Sequence, residues 1–144
     1  MNFRIWNLRL GWFAFGISFL SYLLTVEPTA SYWDCSEYIA TAAKLQVGHP
    51  PGAPFFQMVG AVFAIFAPNA EYIALSVNMM SVLASSFTIL FLFWTITGIA
   101  RRLVGEKFDD NSTKALVLIA GLVGALGFAS VSYTHLTLPT NREV

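Results

Sequence analysis

SYWDCSEYIATAAKLQVGHPPGAPFF, residues 31–56, gathers two acids, a lysine, a histidine and three prolines between long apolar runs. The chain around it has 144 residues, of which 56% are hydrophobic and only 11% charged. Soluble domains carry about 25% charged residues, so the composition reads as an integral membrane protein. Net charge is zero and no basic run exists, which argues against a nucleic-acid partner. The lone Cys35 has no partner for an internal disulfide and no second sulfur for a zinc motif.

Working outward, residues 10–26 (LGWFAFGISFLSYLLTV) carry no charge and lie between Arg9 and Glu27. At 1.5 Å per residue they reach about 26 Å, enough for a thin hydrocarbon core. Arg4 and Arg9 precede them, so the positive-inside rule places the N-terminus in the cytoplasm. Residues 27–52 then face the periplasm or an equivalent exoplasmic space, with a bacterial inner membrane as the expected location. A cleaved signal peptide is the competing reading. The apolar run is longer than such leaders use and Pro28-Thr29-Ala30 is a poor cleavage site, so an uncleaved anchor is expected.

Beyond the loop, the uncharged stretch between Glu71 and Arg101 predicts a span over 72–100, and a second apolar run covers 115–131. Residues 53–67, bounded by Pro54 and Pro68, are short for a crossing. Hydropathy favours four spans and the loop charges favour three; the expectation leans to four. On the 72–100 segment Ala74, Asn78, Ser81, Ser85 and Thr88 form a small, mildly polar stripe, expected to pack against another helix. Ala120/Gly124 and Gly121/Ala125 give the following run a similar character. The tail VSYTHLTLPTNREV, residues 131–144, reads as neither a helix continuation nor a natural loop. It resembles a translated adapter sequence, so the native protein is expected to stop being represented near Ser130.

In the loop, CSEYIATAAKLQ predicts a short helix ending near Gly48. Tyr38, Ala42 and Leu45 repeat on its apolar side, and Glu37, Thr41 and Lys44 follow on another. Lying on the membrane, it would present Asp34 and Glu37 to the water side. Asp34 at the N-cap and Glu37 at N3 make an acidic capping box, which needs no chemistry. A partly desolvated carboxylate at that boundary is equally suited to general-base work. His49-Pro50-Pro51 stiffens the return to the membrane, and His49 is either structural or a substrate contact. Asp34, Glu37 and His49 match no standard metal-binding spacing, so no metal site is assigned and metal dependence stays open.

The run PTASYWDCSEYIATAAKLQVGHPPGAPFFQMVGAVFAIFAP, residues 28–68, resembles the N-terminal signature of a bacterial membrane family catalogued as domain of unknown function 2723. That family is grouped with protein O-mannosyltransferase-like enzymes of the GT-C glycosyltransferase fold. The resemblance extends over about residues 5–130. It implies an all-α, polytopic transmembrane helix bundle, here the N-terminal fragment of a GT-C-like fold with a short exoplasmic juxtamembrane helix. It also implies transfer of a sugar, with mannose expected, from a polyprenyl-phosphate donor to a hydroxyl of a protein or other acceptor, with no further cofactor required. By the same resemblance Asp34 would take the acceptor proton and Glu37 would orient acceptor or base. His49, Pro50 and Pro51 would lie close to the substrate, and Lys44 is the one cation available to the donor phosphate. Members of that family continue through many more helices, so the fragment alone is not expected to be active. Two other classes compete: a transporter or lipid-translocating protein whose path is lined by Asn78, Ser81 and Ser85, and a non-catalytic membrane subunit.

Overall fold

The computed structural model describes residues 1–30, 34–49 and 53–137. Among them all regular elements are helical: α1 (Phe3–Thr25), α2 (Cys35–Lys44), α3 (Pro54–Ile65), α4 (Ile73–Val104) and α5 (Asn111–Thr137). Single 3₁₀ segments, Ala70–Tyr72 and Gly105–Asp109, lead into and out of α4. Three helical stretches, Phe3–Thr25, Ala70–Val104 and Asn111–Val131, are long and apolar enough to cross a membrane. The expected all-helical membrane architecture is therefore met. The short segment expected over 53–67 forms α3, whose 12 residues reach only about 18 Å against a hydrocarbon core of about 30 Å. Pro54 opens this helix at a position where a missing N–H costs nothing.

Several boundaries differ from expectation for local reasons. α1 starts at Phe3 and takes Arg4 and Arg9 into the helix, because helical hydrogen bonding is indifferent to the hydropathy that marks a membrane run. α2 stops at Lys44 instead of near Gly48. Leu45 adopts a left-handed conformation with φ 50°, its N–H donates to Ala42 O at 3.2 Å, and the Gln46 N–H reaches Thr41 O at 2.8 Å. This is a Schellman stop with leucine at a place usually held by glycine. α5 continues through the first residues of the expected tail to Thr137. Ser and Thr cost a helix only a few tenths of a kcal/mol each, roughly, whereas proline breaks it, and Pro139 is the first breaker. The remainder of the tail, 138–144, lies outside the described residues.

The chain divides into two compact units: Met1–Tyr22 with the chain from Ser85 onward, and Leu23–Ala84. In the first, Ala14 and Ser18 of α1 are buried, as are Ile89, Leu90, Phe93 and Thr97 of α4 and Val117, Leu118 and Ala125 of α5. Gly11 accommodates Trp94, whose indole N–H donates to Asn7 O at 3.4 Å. The small residues foreseen on α5 do permit close approach. A Cβ on Gly121 would lie 2.5 Å from Thr97 Cγ2 and 2.9 Å from the Phe93 ring.

In the second unit α2 lies against α3. Ala42 is fully buried, and a Cβ on Gly60 would come within 3.0 Å of the Ala42 Cβ and 3.7 Å of Val77. Tyr38 meets Phe56 edge to face at 5.7 Å, a pairing worth about 0.5–1.5 kcal/mol beyond its buried area. The α4 stripe is not the packing face within the chain. Ser81, Ser85 and Thr88 are exposed while Val77, Val82, Ser86 and Ile89 are buried. Asn78 donates through Nδ2 to Glu27 O at 2.8 Å and Thr29 O at 3.2 Å. Its amide thus fastens the chain that leaves α1.

Gly121→Ala is expected to destabilise the first unit by about 1–3 kcal/mol, because the new methyl meets Phe93 and Thr97. Gly127→Ala, with nothing within 4 Å of the added carbon, should instead stabilise α5 by about 0.5–1 kcal/mol. Thermal unfolding of the detergent-solubilised protein should give shifts of opposite sign; equal shifts would refute the close approach at Gly121.

Candidate active site

Asp34 is the N-cap of α2; its backbone is already helical (φ −70°, ψ −3°), and its side chain makes no capping hydrogen bond. A capping side chain works from an extended backbone, so the helical torsions of Asp34 turn its carboxylate away from the first turn. The capping box expected from Asp34 and Glu37 is therefore not formed. Glu37 is engaged elsewhere.

The left-handed turn at Leu45 reverses the chain and sends residues 46–49 back along α2. The backbone N–H of His49 then donates to Glu37 Oε1 at 2.9 Å, and His49 Nδ1 lies 2.8 Å from Glu37 Oε2. One carboxylate thereby holds both the main chain and the ring of a residue twelve positions away. Turned this way, His49 places Nε2 3.8 Å from Asp34 Oδ2. Gly48 permits the return: a Cβ there would sit 3.4 Å from Glu37 Oε1 and 3.0 Å from Gln57 Nε2.

The structure therefore brings together three of the residues singled out in the sequence, Asp34, Glu37 and His49. Lys44 is not among them. It is exposed at the far end of α2, seven residues or about 10 Å along the axis from Glu37. Pro50 and Pro51 lie outside the described residues. Thr41, expected on the solvated side with Glu37 and Lys44, is buried. Its hydroxyl donates to Glu37 O at 2.8 Å and accepts a hydrogen bond from Gln57 Nε2 at 3.1 Å. Gln57 was given no role from the sequence, although it is the one hydrogen-bonding side chain in PFFQMVGAVFAI. An amide in so apolar a helix needs a partner when buried, and that was the available signal.

The cluster is open to solvent: side-chain exposure is 62% for Asp34, 41% for Glu37 and 47% for His49. The two hydrogen bonds from His49, the backbone N–H first and the ring second, hold the Glu37 carboxyl below the usual glutamate range. Donation from Nδ1 to Glu37 makes Nε2 of a neutral imidazole a proton acceptor beside Asp34. An imidazolium would instead bridge the two acids. Candidate ligand atoms of Asp34, Glu37 and His49 all lie within 4.8 Å of one another. Two carboxylate oxygens and an imidazole nitrogen suit a divalent cation such as Mn²⁺ or Zn²⁺, which would replace the proton shared by Glu37 and His49.

Comparison with known proteins gives the following. Residues 34–139 match the family "Protein O-mannosyl-transferase TMEM260 N-terminal domain". Over 76 residues, 52% of the chain, the sequence is 33% identical to "Protein O-mannosyl-transferase tmem260" of Dictyostelium discoideum. The matched part amounts to 9% of that relative's length. No solved structure matches significantly.

The bonds to Glu37 form with its ionised carboxylate. Their contribution to ordering the loop is thus complete above the ordinary glutamate range, about pH 4.3, and is lost as pH falls through the lowered folded value. Carboxyl NMR titration should place the Glu37 midpoint below that range. His49→Ala should restore only the smaller part of the shift, because it keeps the backbone N–H donor. A midpoint unchanged by His49→Ala and lying at the ordinary value would refute the two-point bond.

Proposed function

We propose that this chain, which belongs to the protein O-mannosyl-transferase TMEM260 N-terminal domain family, forms part of the catalytic region of a membrane glycosyltransferase. The substrate assignments are a sugar, mannose by analogy with the matched family, carried on a polyprenyl phosphate, and an acceptor hydroxyl, foremost Ser or Thr of a protein. The reaction is assigned to the exoplasmic side of a GT-C-like bundle, with α2 and α3 at the membrane surface. The convergence of Asp34, Glu37 and His49 at one exposed end of α2 is the observation that supports this reading.

In the proposed step the acceptor oxygen attacks the anomeric carbon as Asp34 takes its proton. The bond from that carbon to the phosphate oxygen breaks, and the polyprenyl phosphate leaves with the electron pair. Configuration at the sugar carbon is inverted. Glu37 does not compete for the acceptor, since both its oxygens are held by His49. Its task is to hold His49, whose Nε2 lies 3.8 Å from Asp34 Oδ2 and bridges to that carboxylate when the ring is protonated. Positioning a base against a surface-bound donor converts an encounter of two substrates into a local event. The wide exposure of Asp34 leaves room for an acceptor to approach.

Asp34→Asn in the complete protein is the decisive variant. Asp34 makes no capping bond, so the substitution should leave α2 and membrane abundance intact. Transfer of radiolabelled mannose from polyprenyl phosphate to protein should drop about 10²–10⁴-fold, the usual range for a lost general base. Transfer within a few-fold of wild type at equal abundance would remove Asp34 from the reaction.

A further inference from the structure

We infer that Gln57 is a positioning residue of this site: from α3 it holds the Gly48–His49 backbone against α2, so that His49 meets Glu37. The inference rests on the reading of this cluster as a transferase site and adds a residue that does not touch the substrates.

Gln57 is only 8% exposed, and its helix sequence PFFQMVGAVFAI offers no other amide or hydroxyl side chain.

 Its Nε2 donates to Thr41 Oγ1 at 3.1 Å, and the Thr41 hydroxyl passes the chain on to Glu37 O at 2.8 Å. The same carboxamide nitrogen lies under Gly48, 3.0 Å from where a Cβ would stand, with Glu37 Oε1 at 3.4 Å and Thr41 Oγ1 at 3.9 Å from that point. Gly48 precedes His49, so the floor beneath the one sets the height of the other. An apolar pair at 41 and 57 would join α2 to α3 without any cost of burying polar groups. The polar pair differs from it in fixing the direction of the carboxamide under the returning loop.

The test uses the complete protein and the shape-preserving variants Gln57→Met, Thr41→Val and the two combined, with Thr41→Ser as the conservative control. Removing both polar groups together leaves no buried orphan, so the double variant should reach the membrane in normal amount. Each single variant should lower kcat for mannosyl transfer about tenfold with KM changed less than about twofold, as a small misplacement of a reacting group does. The double variant should be no worse than the poorer single one, and Thr41→Ser should stay close to wild type. Hydrogen exchange of the peptide spanning Leu45–His49 should quicken about tenfold in Gln57→Met, because the His49 N–H is released from Glu37. Unchanged exchange overturns the inference, as does quickened exchange with kcat within twofold of wild type. A wild-type protein that transfers no sugar sinks the transferase reading instead, and exchange alone then decides whether Gln57 holds the loop.

Discussion

Glu37 accepts two hydrogen bonds from His49, one from its backbone and one from its ring, and the geometry of the site follows from that double attachment. One bond to the main chain would fix the loop and leave the imidazole free to turn. One bond to the ring would orient it on a loop free to drift. Both together set the position and the direction of Nε2, which is why Asp34, whose side chain makes no capping bond, has a defined neighbour at 3.8 Å.

The attachment is possible because three local features agree. α2 ends early at Leu45, so the chain turns back within reach of its own first turns. Gly48 has no side chain to keep the returning backbone away from Glu37 and Gln57. α3 lies close enough to α2, through Ala42 and Gly60, for Gln57 to reach Thr41. Each feature is modest alone. Their joint effect is to convert a twelve-residue separation into direct contact at the cost of a short loop, and loop closure over so few residues is entropically mild.

Much of this was legible in the sequence, and the unread part has physical causes. Long uncharged runs disclosed the membrane-length helices because apolar length is what a bilayer selects. Asp34, Glu37 and His49 stood out because charge is rare in this chain. The capping box was one of two readings of Glu37 since spacing reports only local partners, and its partner in the structure comes from beyond the helix end. The end of α2 was misplaced because leucine seldom occupies the left-handed region. The Ala74–Thr88 stripe was assigned to packing because small residues look alike whether they face a helix or stay exposed. Gln57 passed unnoticed inside an apolar word, where hydropathy averages out the one side chain that matters.

Leu45 carries a consequence for motion. Its left-handed backbone lies in a narrow well for a residue with a Cβ, whereas glycine would roam widely there. The corner thus behaves as a stiff bracket and not as a joint. A side chain mounted beyond a bracket arrives already aimed, so the imidazole stands at its station in advance, and no binding energy need be spent on pulling it into line.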